Sequence, residues 1–339
     1  MSRLSIVFLF FLFNSLSAFQ PLPITSHPVV GYKEIPFFDE SYQQSRKILI
    51  WYPVEPETKG TTSSDLWDMF DIAVDAPISN PQFKKPMIIV SHGYGGTPHK
   101  LSWLINKLVY NDYIVIGIQH LDELDGQPQI NSWKRAQDIH TMLDQFALQP
   151  LAKSTNLDQI GFAGYSIGGT TGIWLIGGRS TRLDHFVPGP NDAYPEEFKG
   201  VEQGLPFLDK KKMAQDWKEK RIKAAFLMAP AWAWIFDKNS LQKITIPTYI
   251  VASDADNVLV TPNNAGFFSK NIPRAVYQTI PGQVSHYIFI STPKEKDKIP
   301  SNLNSLITDA PSVDRQWIQF EVARNASLFF QSALSSSPN

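Results

Sequence analysis

Short apolar runs that alternate with helical patterns constrain the fold of this chain more than any other feature of its sequence. Pro86–Ser91, Tyr113–Ile118 and Ile160–Ala163 are apolar runs without polar alternation, which predicts strands buried on both faces of a parallel sheet. Between these runs, apolar residues recur at helical spacing, first at Leu101, Leu104, Ile105 and Leu108 and then at Ala136, Ile139, Leu143 and Phe146. The order predicts βαβ units, with helices on both faces of a parallel sheet.

The same pattern extends towards both ends of the chain. A β-rich run at Lys47–Pro53 predicts an early strand, and the polar, proline-rich stretch Glu55–Lys85 predicts a long surface connection. An amphipathic pattern predicts a closing helix over Asp314–Leu334. Three later apolar runs predict further strands, at Ala224–Met228, Thr248–Ala252 and Val276–Ile280.

One charged stretch interrupts the alternation of strands and helices. Arg179–Lys223 contains Pro, Gly and many charged residues, and it falls between a predicted helix and the next strand. We interpret it as an inserted lid or cap, with a basic helical piece around Lys210–Lys220. That basic piece has two interpretations, contact with anionic lipid headgroups or a solvated lid surface, and charge runs favour the second.

Composition and charge exclude several classes of protein. The chain has 339 residues, of which 43% are hydrophobic, so it can bury a large core and is not a disordered protein. Its 31 Lys and Arg residues balance 32 Asp and Glu residues, which argues against a nucleic-acid-binding protein. The absence of cysteine excludes disulfides, zinc–thiolate sites, iron–sulfur clusters and a thiol nucleophile.

The first residues have the layout of a secretory signal peptide. Arg3 precedes the apolar run Ile6–Phe13, and the small residues Ser15, Ser17 and Ala18 follow. The alternative, an uncleaved membrane anchor, needs roughly 20 apolar residues, and this run is much shorter. We therefore expect residues 1–18 to be a cleaved signal peptide, and residues 19–339 to form one exported domain, secreted or periplasmic, with no stable membrane span.

The segment Gly164-Tyr-Ser-Ile-Gly168 matches the pattern G-x-S-x-G. It follows the predicted strand Ile160–Ala163 and opens a predicted helix, and this context defines a nucleophile elbow, a strained turn that exposes a reactive serine. The flanking glycines fit because the tight turn leaves no room for side chains. The alternative is a glycine-rich turn with an ordinary serine. The context favours Ser166 as a nucleophile.

A serine hydroxyl becomes a good nucleophile only when a base removes its proton and a third group orients that base. On a nucleophile elbow of this kind the acid follows the serine in the chain, and the histidine comes last. His286 follows the last predicted strand and has the expected place. His185 also follows Ser166, but it lies in the inserted stretch, before any candidate acid. We therefore predict His286 as the base.

The loop after Thr248–Ala252 offers two candidate acids, Asp254 and Asp256. We favour Asp256, because a carboxylate several residues past the strand can turn back towards the histidine. Asp254 lies nearer the strand and could instead cap the turn through its own backbone.

The developing negative charge of an acyl-transfer reaction needs two backbone N–H groups, which form an oxyanion hole. One should be the N–H of Ile167, which follows the nucleophile, and the other should come from the loop Ser91–Gly96 after an earlier strand. Within that loop we assign Tyr94. The alternative for these glycines is a plain tight turn.

These features together resemble the α/β-hydrolase superfamily. Within it the chain resembles predicted dienelactone hydrolases and plasma-type platelet-activating-factor acetylhydrolases, and more distantly cutinase-like polyesterases. The stretches that carry the resemblance are Ile50–Pro53, Val90–Gly96, Gly161–Gly169, Ala224–Pro230, Ile250–Asp256 and Val284–His286.

The resemblance implies an α/β-hydrolase fold. We expect one such domain over residues 19–339, interrupted by the lid or cap segment at about residues 179–223. The resemblance also implies a Ser–His–Asp catalytic triad on the matching positions Ser166, His286 and Asp256, and oxyanion donors on Tyr94 and Ile167. Neither a cofactor nor a metal is expected.

Aromatic residues follow the predicted strand Ala224–Met228. Because ligands bind at the carboxyl ends of strands in such sheets, Trp232 and Trp234 are candidates for the substrate pocket, and packing beneath the insertion is the alternative. We expect an exported serine hydrolase that cleaves small-molecule or lipid carboxylic esters. The alternatives are a phospholipid or platelet-activating-factor-type acylhydrolase, or a non-catalytic binding protein on the same fold.

Overall fold

A computed structural model describes residues 29–124, 127–128, 130–182 and 206–335 of the chain. The predicted signal peptide lies outside these residues, and so do residues 183–205 of the predicted insertion, which include His185. No helix within the described ranges is both long enough and apolar enough to cross a bilayer.

The strands form one large twisted sheet and one small hairpin. Within the described residues, the large sheet has the order β12-β11-β10-β9-β5-β6-β2-β1-β4-β3, and the hairpin pairs β7 with β8. The strands are β1 (Val29–Asp39), β2 (Gln44–Tyr52), β3 (Thr61–Thr62), β4 (Asp71–Val74), β5 (Lys85–Ser91), β6 (Ile114–Ile118), β7 (Glu123–Leu124), β8 (Gln127–Pro128), β9 (Thr155–Tyr165), β10 (Ile222–Met228), β11 (Thr248–Ser253) and β12 (Ala275–Ile280).

Helices connect the parallel strands, as the apolar spacing predicts. The two predicted helices on either side of β6 are present, and the closing helix packs on β9 and β10 with Phe330 fully buried. The helices are α1 (Ser102–Tyr110), α2 (Lys134–Ala147), α3 (Ile167–Leu175), α4 (Lys210–Met213), α5 (Lys238–Leu241), α6 (Ala265–Asn271) and α7 (Arg315–Ser335).

Six neighbouring strands, β12, β11, β10, β9, β5 and β6, run parallel, so their carboxyl ends share one edge of the sheet. Their register aligns Ser91 with Gly164 and Met228 with Tyr165. The loops that follow these strands therefore emerge side by side. This edge carries every residue that the sequence predicts for the functional site.

The prediction that Glu55–Lys85 is a surface connection is wrong in part. This stretch contains β3 and β4, and β4 pairs in parallel with β1, a strand that the sequence analysis did not identify. Phe70 and Asp68 are buried there, so the segment covers part of the core.

The basic stretch Lys210–Lys220 is helical only in the short α4, and the prediction of a longer helix is wrong. After α4, Trp217 stacks on Trp133, with 5.3 Å between the ring centroids. The N–H of Glu219 then donates to the carbonyl of Leu175. These contacts fix the end of the predicted insertion against α2 and α3.

Candidate active site

Ser166 occupies a strained turn between β9 and α3. Its backbone has φ 56° and ψ −122°, in the positive-φ region that L-residues rarely adopt. A Cβ atom at Gly164 would lie 2.2 Å from the carbonyl oxygen of Gly168, and a Cβ at Gly168 would lie 2.1 Å from that of Ser91. Both positions therefore require glycine, and their close packing forces the turn that presents the Ser166 hydroxyl.

The structure brings Ser166, His286 and Asp256 into one hydrogen-bonded chain. The Nε2 atom of His286 is 3.0 Å from the Ser166 Oγ atom, and its Nδ1 atom is 2.7 Å from Oδ2 of Asp256. Because a carboxylate only accepts hydrogen bonds, Nδ1 of a neutral His286 carries the proton. Its Nε2 atom can then accept the Ser166 hydroxyl proton.

Backbone groups hold the Asp256 carboxylate in place. Its Oδ1 atom accepts the N–H groups of Val258 and Leu259 at 2.9 and 2.7 Å, while Oδ2 faces His286. Asp254 is exposed and bonds Ile280 only through its backbone N–H. Of the two acids that the sequence offers, Asp256 is the one in contact with His286, and it also caps its own turn.

Two further residues fix the position of His286. The backbone N–H of His286 donates to Oδ1 of Asn257 at 3.1 Å. The hydroxyl of Tyr165 donates to the His286 carbonyl at 3.2 Å, and burial raises the pKa of Tyr165 well above its usual value, so the phenol keeps its proton. The sequence analysis missed both residues, because their roles depend on how the loops meet.

The loop after β5 lies directly beside the serine. A Cβ atom at Gly93 would lie 3.5 Å from Cβ of Ser166 and 2.9 Å from the ring of Tyr165. The next residue is Tyr94, whose side chain is about half exposed. Ile167 begins α3, where the first N–H groups have no acceptor within the helix. Of the two predicted oxyanion residues, Ile167 follows Ser166 in the chain, and Tyr94 belongs to the loop that lies beside it in space.

The aromatic loop after β10 is tied to the helix that carries Ser166. Thr170 Oγ1 donates to the carbonyl of Ala231 at 2.8 Å and lies 3.1 Å from its N–H. The next residue, Trp232, has φ 58° and ψ 36°, a left-handed conformation that is unusual for a bulky side chain. Trp232 and Trp234 are both half-buried and contact the core.

A second Ser–His–Asp chain lies inside the protein, and the sequence analysis missed it. The hydroxyl of Ser91 is 3.0 Å from Nε2 of His120, whose Nδ1 is 2.7 Å from Oδ2 of Asp138. Arg46 bonds the other oxygen of Asp138 and also Asp39. Ser91, His120 and Asp138 are 0, 3 and 1% exposed, so no substrate can reach Ser91 in this structure.

One group of side chains within the described residues has donor atoms close enough together to hold a metal ion: Asp65, Asp68 and His99, with ligand atoms within 4.8 Å of one another. These groups already bond to each other or to the chain. His99 Nδ1 is 2.8 Å from Asp68, whose second oxygen accepts the Ser63 hydroxyl. Although burial opposes it, Asp68 raises the pKa of His99. The group therefore has a structural explanation as an ion pair.

The architecture is that of the α/β-hydrolase fold. The chain is similar in structure to a ferulic acid esterase from Streptomyces cinnamoneus, with a TM-score of 0.60, 15% sequence identity and coverage of 94% of both chains. It is also similar to a thermophilic esterase, Est2, from Thermogutta terrifontis in a butyrate-bound structure. That match has a TM-score of 0.54 and 10% identity, and it covers 90% of this chain and 96% of the other. No protein-family model and no curated protein matches the sequence.

Proposed function

We propose that this protein is a serine hydrolase that cleaves carboxylic esters through an acyl-enzyme intermediate. The observation that carries the proposal is the continuous hydrogen-bonded chain from the Ser166 hydroxyl through His286 to Asp256. Its serine occupies a strained, partly exposed turn at the carboxyl edge of the sheet. A nucleophile, its base and the group that orients the base thus meet at an accessible position.

In the proposed reaction, the Oγ atom of Ser166 attacks the ester carbonyl carbon as its proton moves to Nε2 of His286. Asp256 stabilises the imidazolium ion that forms. The N–H groups of Tyr94 and Ile167 stabilise the oxyanion. His286 then protonates the departing alcohol. In the second half of the reaction, His286 takes a proton from a water molecule, which attacks the acyl-enzyme carbonyl. His286 returns this proton to the Ser166 oxygen as the carboxylic acid leaves.

Substituting the nucleophile tests the core of this proposal. The variant Ser166→Ala should lower kcat for a p-nitrophenyl ester by about 10⁶, because the acyl-enzyme can no longer form. The matched variant Ser301→Ala removes an exposed hydroxyl at the start of a short 3-10 helix and should retain full turnover. Equal turnover by Ser166→Ala and wild type would refute the proposal, and absence of esterase activity in the wild type would favour a binding protein.

Asp254 and Asp256, in the loop after β11, provide a second test in which one residue is the control for the other. Asp256→Asn should lower kcat by about 10⁴, because the amide no longer fixes the required tautomer of His286. Asp254→Asn makes the same chemical change at an exposed position two residues away and should leave kcat near the wild-type value. Steady-state hydrolysis rates measure both variants, and a larger loss for Asp254→Asn would contradict the assignment of the acid.

Esters are the first substrates to test because both similar structures described above are esterases by name. We further propose that Trp232 lines the pocket for the acyl group, since two hydrogen bonds between Thr170 and the backbone of Ala231 tie its loop to the helix that follows Ser166. Trp234, in the same loop, is the second candidate.

A series of p-nitrophenyl esters of increasing acyl length tests the pocket. Trp232→Ala should raise kcat/KM for long acyl chains relative to short ones, because it enlarges the pocket. Trp317→Ala removes an exposed indole on α7 and should not change the preference. An unchanged preference in Trp232→Ala would place this residue outside the acyl pocket.

We also propose that the protein is exported, on the basis of the basic residue Arg3 and the apolar run Ile6–Phe13 that follows it. Cleavage near Ser17 or Ala18 should leave a mature protein outside the cytoplasm that begins at about Phe19. Mass spectrometry of the N-terminal peptide checks this, and an exported protein that retains residues 1–18 would contradict it.

A further inference from the structure

We propose that three buried side chains, Arg135, Asp122 and His92, are positioning residues that fix the direction of the Tyr94 N–H group. This inference rests on the proposed function, because it assigns these residues to the oxyanion hole of the same site. None of the three is expected to touch the substrate; they act through the backbone of the loop between β5 and α1.

One rigid peptide unit joins Gly93 to Tyr94. The carbonyl of Gly93 and the N–H of Tyr94 belong to one planar, trans peptide unit, so they point in opposite directions. Whatever holds the Gly93 oxygen therefore also directs the Tyr94 N–H. The hydrogen bonds of the described residues give this N–H no acceptor of its own.

Three donors converge on the Gly93 carbonyl oxygen. They are Nδ1 of His92 at 2.6 Å, the N–H of Gly96 at 3.2 Å and a guanidinium nitrogen of Arg135 at 3.3 Å. Arg135 also donates to the His92 carbonyl at 2.8 Å. Because its carbonyl oxygen accepts three hydrogen bonds, the Gly93–Tyr94 peptide has little freedom to rotate.

The tautomer of His92 follows from its second nitrogen. Nε2 of His92 accepts the backbone N–H of His120 at 2.9 Å, so Nδ1 must carry the proton that is donated to Gly93. Burial, together with the positive charge of Arg135, lowers the pKa of His92 well below its usual value. The ring therefore stays neutral and keeps this arrangement.

Asp122 holds both Arg135 and the next peptide unit of the loop. Its carboxylate pairs with Arg135 through two hydrogen bonds of 2.7 Å, and its Oδ2 atom also accepts the N–H of Gly95 at 2.8 Å. Both side chains are buried, and the pairing with Arg135 outweighs burial and lowers the pKa of Asp122 to about 2. The ion pair thus fixes the peptide units before and after Tyr94.

Thionoesters provide a readout that a merely structural role would not change. Sulfur in place of the carbonyl oxygen weakens the hydrogen bonds in the oxyanion hole, so the ratio of kcat/KM for an ester to that for its thionoester measures those bonds. Asp122→Asn and Arg135→Lys should each lower kcat for the ester about ten- to a hundredfold, with KM nearly unchanged. The ester-to-thionoester ratio should fall with kcat.

The matched control is Asp112→Asn, the same chemical change at the opposite end of β5. Asp112 pairs with the buried ammonium group of Lys85 at 2.7 Å, so its loss destabilises the fold without touching the Tyr94 loop. This variant should show a lower Tm but wild-type kcat and a wild-type ester-to-thionoester ratio. If Asp122→Asn does not fold, Arg135→Lys, which keeps the charge but loses the planar fork, gives the same comparison.

Retention of both the wild-type kcat and the wild-type ratio in Asp122→Asn and Arg135→Lys would overturn the inference. A loss of kcat with an unchanged ratio would also overturn it, because the residues would then not act through the hydrogen bonds of the oxyanion hole. These outcomes are distinct from failure of the proposed function, in which the wild type lacks esterase activity or Ser166→Ala retains it.

Discussion

The site depends on a contact between backbones that leaves no room for a side chain. The first turn of α3 packs so closely on the end of β5 that a Cβ atom on Gly168 would lie 2.1 Å from the Ser91 carbonyl. This contact holds Ser166 at a positive φ, at a cost of about 1–3 kcal/mol. The packing of β9, β5 and α3 offsets that cost. The turn exposes the Ser166 hydroxyl at the edge of the sheet.

Two Ser–His–Asp chains within the described residues have the same hydrogen-bond distances, and their environments distinguish them. In both, the serine oxygen is 3.0 Å from Nε2 and the carboxylate is 2.7 Å from Nδ1. Ser91 is the last residue of the strand β5 and is fully buried, whereas Ser166 lies in the strained turn and is partly exposed. Hydrogen-bond geometry alone therefore does not define a nucleophile, because the hydroxyl must also be accessible.

The buried polar residues near β5 and β6 surround the loop after β5 and do not belong to the chain of Ser166, His286 and Asp256. Burial lowers the pKa of His92 and His120, so both rings are neutral and each has a fixed tautomer. In a neutral ring with a fixed tautomer, one nitrogen always donates a hydrogen bond and the other always accepts one. The loop that begins at His92 therefore has one arrangement, which is what preorganised stabilisation of an oxyanion requires.

Much of the parallel half of the sheet is predictable from sequence, because strands buried on both faces leave unbroken apolar runs such as Pro86–Ser91. β1 was missed because its polarity does not follow its burial: burial alternates from Glu34 to Asp39, but the apolar Phe38 is exposed and the charged Asp39 is buried. The β4 strand is short, and its pairing with β1 is not encoded in a local pattern.

The candidate site was predictable to the extent that it follows chain order and local spacing. The order of elements identified Ser166 and His286, but two carboxylates in one turn left the acid open between Asp254 and Asp256. Arg135 and Asp122 could not be found, because they bond backbone atoms of a loop whose path depends on the folded sheet.

The most direct test of this account is to treat the folded protein with a fluorophosphonate, which reacts with an activated serine, and to locate the modified residue by peptide mass spectrometry. The account predicts one modified serine, Ser166, and an unmodified Ser91. Modification of Ser91, or an unmodified Ser166 in protein that hydrolyses esters, would contradict it.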